Sequence, residues 1–375
     1  MSNPSPSEPY RVLVIGGYGF FGRRLVERLS LQAGLHVIVA GRSADQAAAL
    51  VSELRPTSAA ALGSVALDAL SDAFPAWLDR LQVRAVVHAS GPFQGQDYRV
   101  ALACTAAGVH YVDLADGRDF VSGITAVDVA ATAAGVCVLS GASSVPALSG
   151  AAVDELTRGW RRVDAIDIGI SPGNRTERGP STVRAVLSYC GRPIPHADGV
   201  TLTGWLRTRA RRYPAPVGWR LLSPCDVPDL ALLPSRYPGR PVVRFRAGLE
   251  LVALHVGANA MALAGRLGLV RDWGRHAEWL KRCLDRFVDF GTDAGAMHVT
   301  TRGLDAQGRP ARRTWTLVAT HGDGPWVPTL AAAALVRKLA AGETPAIGAR
   351  ACVDALTLDD FARETSGRRI AWRVG

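Results

Sequence analysis

The chain has 375 residues, of which 48% are hydrophobic and 20% charged, a composition that is typical of globular proteins and argues against extensive disorder. This length predicts two or three domains with a sizeable core that needs no disulfides or structural metals. The six cysteines form no CxxC pair, which excludes zinc ribbons and thioredoxin-like motifs, and we expect a reduced, cytoplasmic protein.

The N-terminal sequence MSNPSPSEP has neither the basic nor the apolar region of a secretory signal, and residues 1–9 are predicted to form a mobile polar tail. The most apolar stretch, from Leu249 to Val270, is interrupted by four polar or charged residues. It therefore falls short of the ~18 uninterrupted apolar residues that a spanning helix needs, and no membrane span is predicted.

Residues 10–150 alternate short apolar runs with helical patterns, which is the order expected for a parallel sheet. Strands are predicted at RVLVIGG, HVIVAGR, SVALD, RAVVHAS, VHYVDLA and GVCVLSG. Helices are predicted at RRLVERLSL, DQAAALVSEL and YRVALACTAAG. The predicted fold class is therefore α/β, with a Rossmann-type parallel-sheet domain over residues 10–150.

The pattern changes after Val145-Pro146. A strand is predicted at VDAIDIGIS, a helix at STVRAVLSYC, two more helices over 251–267 and 273–287, and a hairpin at MHVTTRGL and RRTWTLVAT. The stretch from 192 to 241 has no clear pattern. We predict a smaller α+β substrate or oligomerisation domain over 151–325, and a segment 326–375 whose helix TLAAAALVRKLAAG returns towards the Rossmann domain.

The most informative motif is VLVIGGYGFFG, which contains GxGxxG at Gly17, Gly19 and Gly22 and also GxxGxxG from Gly16. It leaves a predicted strand and begins a predicted helix, the context in which glycines permit a tight turn and close approach of a diphosphate to the helix start. We therefore expect Gly19 to tolerate no side chain when the cofactor binds. The alternative is a glycine-rich turn with a purely structural role.

The end of the second strand favours NADP(H) over NAD(H). NAD sites place an acid about 20 residues beyond the glycines, whereas this chain has Ala40 there, followed by Arg42 and Ser43. Arginine can pair with a 2′-phosphate, and Ser43 can add a hydrogen bond. Alternatively, Arg42 is a solvated loop residue.

Two further segments are predicted to reach the cofactor. Asp68 follows the third strand, and Ser90-Gly91-Pro92 follows the fourth, at the carboxyl edge where ligands bind in open sheets. The complete predicted cofactor-binding set is Gly16, Gly17, Tyr18, Gly19, Phe20, Phe21, Gly22, Arg42, Ser43, Asp68, Ser90, Gly91 and Pro92.

Several reaction mechanisms are excluded by residues that the sequence lacks. None of the seven tyrosines has a lysine four residues later, so the Tyr-x-x-x-Lys pair of short-chain reductases is absent. The first lysine is Lys281, which excludes lysine chemistry in the first domain. HExxH and similar spacings are also absent, and no metal site is predicted.

Candidate catalytic residues follow the fifth and sixth strands. A helix that begins near Ser143 and Ser144 would direct free N–H groups and a hydroxyl across the carboxyl edge, towards an anionic or carbonyl group of a substrate. Asp113 or Asp116 would then bind its amine or relay a proton. The alternative is that Ser144 caps the helix and Asp113 holds a loop.

The segments GGYGFFG, AGRS, ASGPFQGQ, GVHYVDLADG and GASSVPALSG resemble the nucleotide domain of saccharopine dehydrogenase-like proteins, and RRTWTLVATHGDGPWVPTLAAAALVRKLAAGE resembles that family's hairpin and returning helix. The resemblance implies a Rossmann domain with a smaller α/β substrate domain, and NADP-dependent reduction of an imine. One departure is that the family's YVDLxGE reads Tyr111-Val112-Asp113-Leu114-Ala115-Asp116-Gly117 here.

The segment from Arg207 to Arg220 carries five arginines together with Tyr213 and Trp219, Trp205 lies just before it, and the chain has a net charge of +10. Such a cluster could bind nucleic acid or an acidic substrate, but it lies in no recognised nucleic-acid fold, and we predict no nucleic-acid partner. For the apolar helix over 251–267, burial in the second domain or in an oligomer interface is favoured over a membrane surface, and a homodimer stays an open alternative.

Together these features predict an NADP(H)-dependent oxidoreductase that transfers a hydride to or from a C=N or C=O bond of a small polar substrate. One alternative is an enoyl or keto reductase that acts on a lipid-like or carrier-bound substrate. Another is a non-catalytic NADP-sensing or scaffold protein, because no single residue stands out as an indispensable acid.

Overall fold

A computed structural model describes residues 8–375, so most of the predicted tail lies outside the described residues. The strands are β1 (Tyr10–Ile15), β2 (Leu35–Gly41), β3 (Ala61–Ala66), β4 (Ala85–His88), β5 (His110–Asp113), β6 (Cys137–Ser140), β7 (Arg162–Ser171), β8 (Pro193–Pro195), β9 (Thr201–Thr203), β10 (Arg209–Arg212), β11 (Trp219–Pro224), β12 (Val242–Ala247), β13 (Gly295–Leu304), β14 (Pro310–Ala319), β15 (Gly348–Ala351) and β16 (Ile370–Val374).

The α-helices lie between these strands and after the last hairpin. They are α1 (Phe20–Ser30), α2 (Ala44–Leu54), α3 (Phe74–Leu81), α4 (Arg99–Ala106), α5 (Arg118–Gly123), α6 (Asp128–Ala133), α7 (Ser149–Leu156), α8 (Pro180–Ser188), α9 (Asp229–Arg236), α10 (Val252–Arg266), α11 (Ala277–Asp285), α12 (Leu330–Ala340) and α13 (Leu358–Glu364). In the part of the chain that is described, none of them is long and apolar enough to cross a membrane.

The first sheet is parallel and has the strand order β15-β6-β5-β4-β1-β2-β3. Its inner strands β1, β2, β4, β5 and β6 are short, mostly buried runs of β-branched and apolar residues, as parallel strands covered on both faces are, whereas the edge strand β3 is largely exposed. In the register, Ile15 lies opposite both Ala40 and His88, and His88 lies opposite Asp113. The loops that follow β1, β2, β4 and β5 therefore meet at one carboxyl edge, and the predicted Rossmann-type fold is confirmed.

The second sheet is mixed and has the strand order β10-β11-β12-β7-β13-β14-β16. Its central hairpin pairs Gly295–Leu304 with Pro310–Ala319, which confirms the predicted hairpin. A single buried cluster continues from Val14 in the first sheet through Leu148 and Leu335 to Trp315 in the second. The two sheets therefore share one core, with α7 and α12 contributing side chains between them.

The C-terminal segment contributes to both sheets. Helix α12 packs against α1 and β5, and β15 pairs with β6, so these parts lie on the Rossmann domain, as predicted for the returning helix. The last strand, β16, instead pairs with β14 of the second sheet. This strand holds the chain end to the second domain through backbone hydrogen bonds that the sequence pattern did not indicate.

Two expectations are corrected in the region after residue 140. The stretch from 192 to 241 is not irregular: it contains the helix α9 and the strands β8 to β11, which have only 3 to 6 residues each and are too short to show a clear alternation of apolar residues. Regular helix begins at Ser149 rather than near Ser143, because the residue before Pro146 is driven to extended geometry and Val145 has φ −134° and ψ 129°.

Candidate functional site

The glycine loop between β1 and α1 is held closely against the sheet. Gly16 has a φ of +73°, a left-handed conformation that favours glycine, and the N–H groups of Gly16 and Gly17 both donate to the Ala40 carbonyl at 2.9 and 3.1 Å. A Cβ on Gly22 would lie 2.0 Å from the Gly16 carbonyl oxygen. These contacts require glycine for packing alone.

Gly19 differs from its neighbours in what surrounds it. A Cβ there would meet only the Gly16 carbonyl group, with the oxygen at 3.0 Å, and its backbone is extended, at φ −72° and ψ 177°. Gly19 precedes the first residue of α1, whose first turn carries no acidic side chain and no side-chain cap. Free N–H groups and the positive end of the helix dipole therefore border a space that an anion can occupy.

The end of β2 carries the residues predicted to select the cofactor. Ala40 is fully buried, and Arg42 is exposed. Ser43 caps α2, because its hydroxyl accepts a hydrogen bond from the Gln46 N–H. The Ser43 N–H donates to the Tyr18 hydroxyl at 2.9 Å, so Tyr18 links the glycine loop to the end of β2.

Asp68 lies beyond β3 and is exposed. Its carboxylate accepts a hydrogen bond from the Leu70 N–H at 3.0 Å, and its carbonyl accepts one from the Ser71 hydroxyl at 2.7 Å. These bonds are those of a turn residue, and they leave the second carboxylate oxygen free for a ligand.

A buried hydrogen-bonded chain extends from the interior to the carboxyl edge. The His88 ring, which is 2% exposed, lies 3.0 Å from the Tyr111 hydroxyl through Nδ1 and 2.8 Å from the Ser90 hydroxyl through Nε2. Burial lowers the pKa of His88 to about 4, so the imidazole is neutral at pH 7. Ser90 is a predicted cofactor ligand, and the register that aligns β4 with β5 brings the Tyr111 hydroxyl to the His88 ring that contacts it.

The loop that contains Gly91 and Pro92 is held from both domains. The Gln96 side chain donates to the Ser90 and Pro92 carbonyls at 3.2 and 2.7 Å. From the second domain, the Ser181 hydroxyl donates to the Gly91 carbonyl at 3.2 Å. The start of α8 therefore lies against the predicted cofactor edge.

The second domain also contacts the glycine loop. A Cβ on Gly179 would lie 2.9 Å from the Phe20 ring, so this aromatic residue lies directly against the start of α8. Phe20 and Phe21 stack edge to face, with ring centroids 4.8 Å apart. Their rings thus form part of the domain contact beside the glycine loop.

The two aspartates predicted after β5 have different environments. Asp113 is fully buried, and its carboxylate accepts hydrogen bonds from the Gly141 N–H at 2.8 Å and from the Ala115 N–H and the Ser140 hydroxyl at 3.0 Å. Burial raises its pKa to about 6, although these bonds lower it. Asp113 therefore joins the ends of β5 and β6 and is not positioned to touch a substrate.

Asp116 follows β5 at the same carboxyl edge and is less enclosed. It is partly exposed at its surface and accepts a hydrogen bond from the Gln94 side chain at 3.2 Å. Its surroundings desolvate the carboxylate, which raises its pKa above the ordinary value. Of the two aspartates, Asp116 is the one that a substrate group could reach.

Ser143 and Ser144 are each 8% exposed and lie in the wide turn that precedes α7. The Ser143 hydroxyl does not cap the turn, which leaves this hydroxyl free of the capping role. Because α7 begins only at Ser149 and is itself buried, the free N–H groups expected near Ser144 are displaced from the edge. A ligand at this segment could contact the two serine hydroxyls, but not the free N–H groups of a helix start.

Sequence reasoning missed a group of residues at the boundary between the two domains. Arg118 on α5 pairs with Asp226 at 2.8 Å and donates to the Pro195 carbonyl at 2.8 Å, which ties the Rossmann domain to the second domain. Tyr189 is half-buried beside Cys225; desolvation raises its pKa well above the ordinary value, and the nearby Cys225, Asp116 and Asp226 side chains add to this rise. Only tertiary packing brings Tyr189 near Asp116, and no sequence motif could have revealed it.

Comparisons with known proteins agree with this geometry. Residues 12–139 match the family model described as the saccharopine dehydrogenase NADP binding domain. Apo saccharopine dehydrogenase (L-Glu forming) from Saccharomyces cerevisiae has a TM-score of 0.66 to this chain at 14% identity, covering 98% of this chain and 100% of that one. The structure of GenD2 from gentamicin A biosynthesis in complex with NAD has a lower TM-score of 0.44 to this chain, at 13% identity. The match covers 100% of this chain and 99% of GenD2.

No curated protein sequence matches the chain. The match over 12–139 confirms the resemblance seen in the motifs, and it confirms NADP(H) as the cofactor of the domain family. The yeast structure shows that the likeness in fold extends over the second domain as well. Residues 12–139 therefore match the saccharopine dehydrogenase NADP binding domain, and the whole chain shares its fold with the yeast saccharopine dehydrogenase structure.

Proposed function

We propose that this protein is an NADP(H)-dependent oxidoreductase that transfers a hydride to or from a C=N or C=O bond of a small polar substrate. The observation that carries the proposal is the contrast within the glycine loop, where Gly22 is closed off by backbone while Gly19 borders open space at the start of α1. An opening of this kind accommodates a diphosphate. When bound, NADP(H) supplies or accepts the hydride, and the residues of the chain bind, orient and exclude water.

The preference for NADP(H) over NAD(H) rests on the end of β2. A buried Ala40 in place of an acid removes both the hydrogen-bond acceptor for a 2′-hydroxyl and the charge that would repel a 2′-phosphate. Arg42 is exposed beside it and free to pair with such a phosphate. The Ser43 hydroxyl, which already caps α2, lies next to Arg42 in the chain.

The chain Tyr111–His88–Ser90 is proposed to orient a hydroxyl at the nicotinamide end of the cofactor. A neutral imidazole has one donor and one acceptor nitrogen. Burial raises the pKa of Tyr111 well above the ordinary value, so its hydroxyl keeps its proton. If Tyr111 donates to Nδ1, then Nε2–H donates to Ser90, whose own proton is left to donate into the cleft.

The substrate is proposed to lie between this edge and the second domain. Asp116 would bind a substrate amine or accept a proton from it, and Ser143 and Ser144 would orient a carbonyl or carboxylate. Asp113 is assigned a positioning role, because its carboxylate is committed to backbone and Ser140. A polar substrate is supported by the character of the Asp116, Gln94 and Arg118 side chains at this boundary.

The first test is calorimetric titration of the full chain with NADPH and with NADH. We expect NADPH to bind more tightly; absence of binding by either cofactor would refute the proposal. The second test is NADPH consumption by the natural chain with imines, oxo acids and enoyl thioesters as substrates. The variants Asp116→Asn and Ser143→Ala are compared with the control Asp79→Asn, since Asp79 is an exposed residue on α3. Turnover of enoyl thioesters alone would favour the alternative reductase activity.

A further inference from the structure

Helix α10 lies at the surface of the second domain, and its C-terminal end forms one wall of a cavity. Only His255 and Ala262 are buried in this helix, whereas Val252 and Val256 are 61% and 54% exposed. Burial in the core of the second domain, one of the two options favoured from the sequence, is therefore wrong. The cavity has a volume of about 750 Å³ and lies between the end of α10, the residues that follow α8, and the strands β8 and β9.

Positive charge dominates the lining of this cavity. Arg192, Arg266 and Arg271 line it together with Thr201 and Thr203, and no Asp or Glu lies among its lining residues. Within residues 8–375, none of the three arginines forms an ion pair with a carboxylate, and residues 1–7 contain no acidic side chain. The cavity therefore carries three positive charges that no carboxylate of the chain neutralises.

The guanidinium groups of these arginines keep most of their N–H donors free. Arg192 donates from Nη2 to the Arg271 carbonyl at 2.8 Å, which directs its side chain across the cavity. The last carbonyls of α10 accept hydrogen bonds from the N–H groups of residues 267–269, so Arg266 is not needed to cap the helix. Each guanidinium has five N–H donors, and a ligand in the cavity can therefore bond to several of them.

Backbone packing fixes the shape of the cavity. A Cβ on Gly191 would lie 2.4 Å from the Ala262 carbonyl oxygen, so the residues after α8 lie directly against α10. Gly268 has a φ of +77°, a left-handed conformation that turns the chain back beyond the end of α10. The Trp273 indole then donates to the Met261 carbonyl at 2.9 Å and holds this returning segment against the helix.

We propose that this cavity binds a small molecule through a diphosphate or a similar group of adjacent phosphates. Three guanidinium groups around one space repel one another, and a ligand with several negative charges relieves this repulsion. Planar guanidinium groups bind phosphate oxygens through paired hydrogen bonds, and threonine hydroxyls can donate to further oxygens. The cavity also falls within the roughly 300–1,000 Å³ of small-molecule sites, which gives room for more than one phosphate group.

A second cavity shows why the absence of carboxylates matters. It has a volume of about 640 Å³ and is lined by three arginines, among them Arg11 and Arg337. There Arg11 pairs with Glu8 at 3.0 Å, and Arg337 pairs with Glu364 at 2.6 Å. Most of the positive charge at that cavity is thus neutralised within the chain, whereas the charge at the end of α10 is left for a ligand.

The test is calorimetric titration of the full chain with pyrophosphate, in the presence of NADPH so that the glycine loop is occupied. Arg266→Ser and Arg271→Ser should each weaken pyrophosphate binding at least about 10-fold, because each removes a charge-assisted hydrogen bond. The matched control is Arg275→Ser, since Arg275 is exposed, pairs with Asp272 and does not line the cavity. It should bind pyrophosphate like the natural chain.

Citrate, titrated in the same way, distinguishes phosphate recognition from a general attraction of anions. We expect pyrophosphate to bind more tightly than citrate and to slow amide hydrogen exchange in residues 190–203 and 265–271. A natural chain that binds pyrophosphate in this manner but does not bind NADPH would support the cavity and count against the proposed function. Thermal unfolding of each variant shows whether it is folded.

The proposal is overturned by any of three results. The first is a natural chain that does not bind pyrophosphate at about 1 mM in low salt. The second is citrate binding as tightly as pyrophosphate. The third is equal pyrophosphate affinity of Arg266→Ser and Arg275→Ser, with both variants folded.

Discussion

Replacing two glycines of the same loop, Gly19 and Gly22, with alanine should have opposite consequences. At Gly22 an alanine Cβ would lie 2.0 Å from the Gly16 carbonyl oxygen and 2.8 Å from the Gly16 carbonyl carbon, so backbone must move. Overpacking of this kind costs about 1–3 kcal/mol, and a backbone obstacle suggests the upper end. Gly22→Ala should therefore lower the free energy of unfolding by about 3 kcal/mol.

At Gly19 the same Cβ meets only the Gly16 carbonyl oxygen at 3.0 Å, and the backbone is in a conformation that any residue adopts. Reduced freedom of the unfolded chain gains about 0.4–1 kcal/mol, which offsets this tight contact. The free energy of unfolding of Gly19→Ala should thus stay within about 1 kcal/mol of the natural chain. Its Cβ would, however, enter the space proposed for the diphosphate.

Charge-assisted hydrogen bonds contribute about 1.5–3 kcal/mol each, so losing two of them should weaken NADPH binding by about 10²–10⁴-fold. Urea unfolding measures the free energy of unfolding of each variant, and calorimetric titration measures its NADPH affinity, on the same preparations. The reasoning is refuted if Gly19→Ala binds NADPH normally, or if it destabilises the fold as much as Gly22→Ala does.

Three further outcomes are expected. Arg42→Ala should weaken NADPH binding by about one to two decades and leave NADH binding unchanged; an unchanged ratio of the two affinities would contradict the assignment. His88→Asn should reduce the rate of hydride transfer more than NADPH affinity, because it misorients Ser90. The control is His110→Asn, at the opposite end of the sheet. Equal effects of the two substitutions would contradict the proposed role of the chain Tyr111–His88–Ser90. Burial raises the pKa of Asp113 to about 6, so its contribution to stability is present at low pH and is lost as pH rises from about 4 through 6. Urea unfolding of Asp113→Asn against pH should therefore show a weaker fall across that window than the natural chain, and parallel curves would contradict this.

The sequence alone predicted the Rossmann-type fold and the glycine loop between β1 and α1. Strands such as RVLVIGG and RAVVHAS are short, apolar and bounded by turn residues, so the local sequence pattern already predicts the buried strands that the fold contains. The packing roles of the glycines at 16, 17 and 22 follow from steric limits on the backbone, and the glycine spacing of the motif is enough to predict them. The fold class and the cofactor could be predicted for this reason.

Only the tertiary structure decided how the site is completed. The His88 ring lies against the Tyr111 hydroxyl because β4 and β5 pair in a fixed register, and Asp113 is held in the interior by its bond to the loop after β6. Tyr189, at the end of α8, lies near both Asp116 and Cys225, and Cys225 follows β11 in a stretch whose strands are too short to alternate clearly. The exposure of α10 was likewise hidden, because an apolar helix that packs against its own domain and one that packs against a second chain have the same hydrophobic sequence.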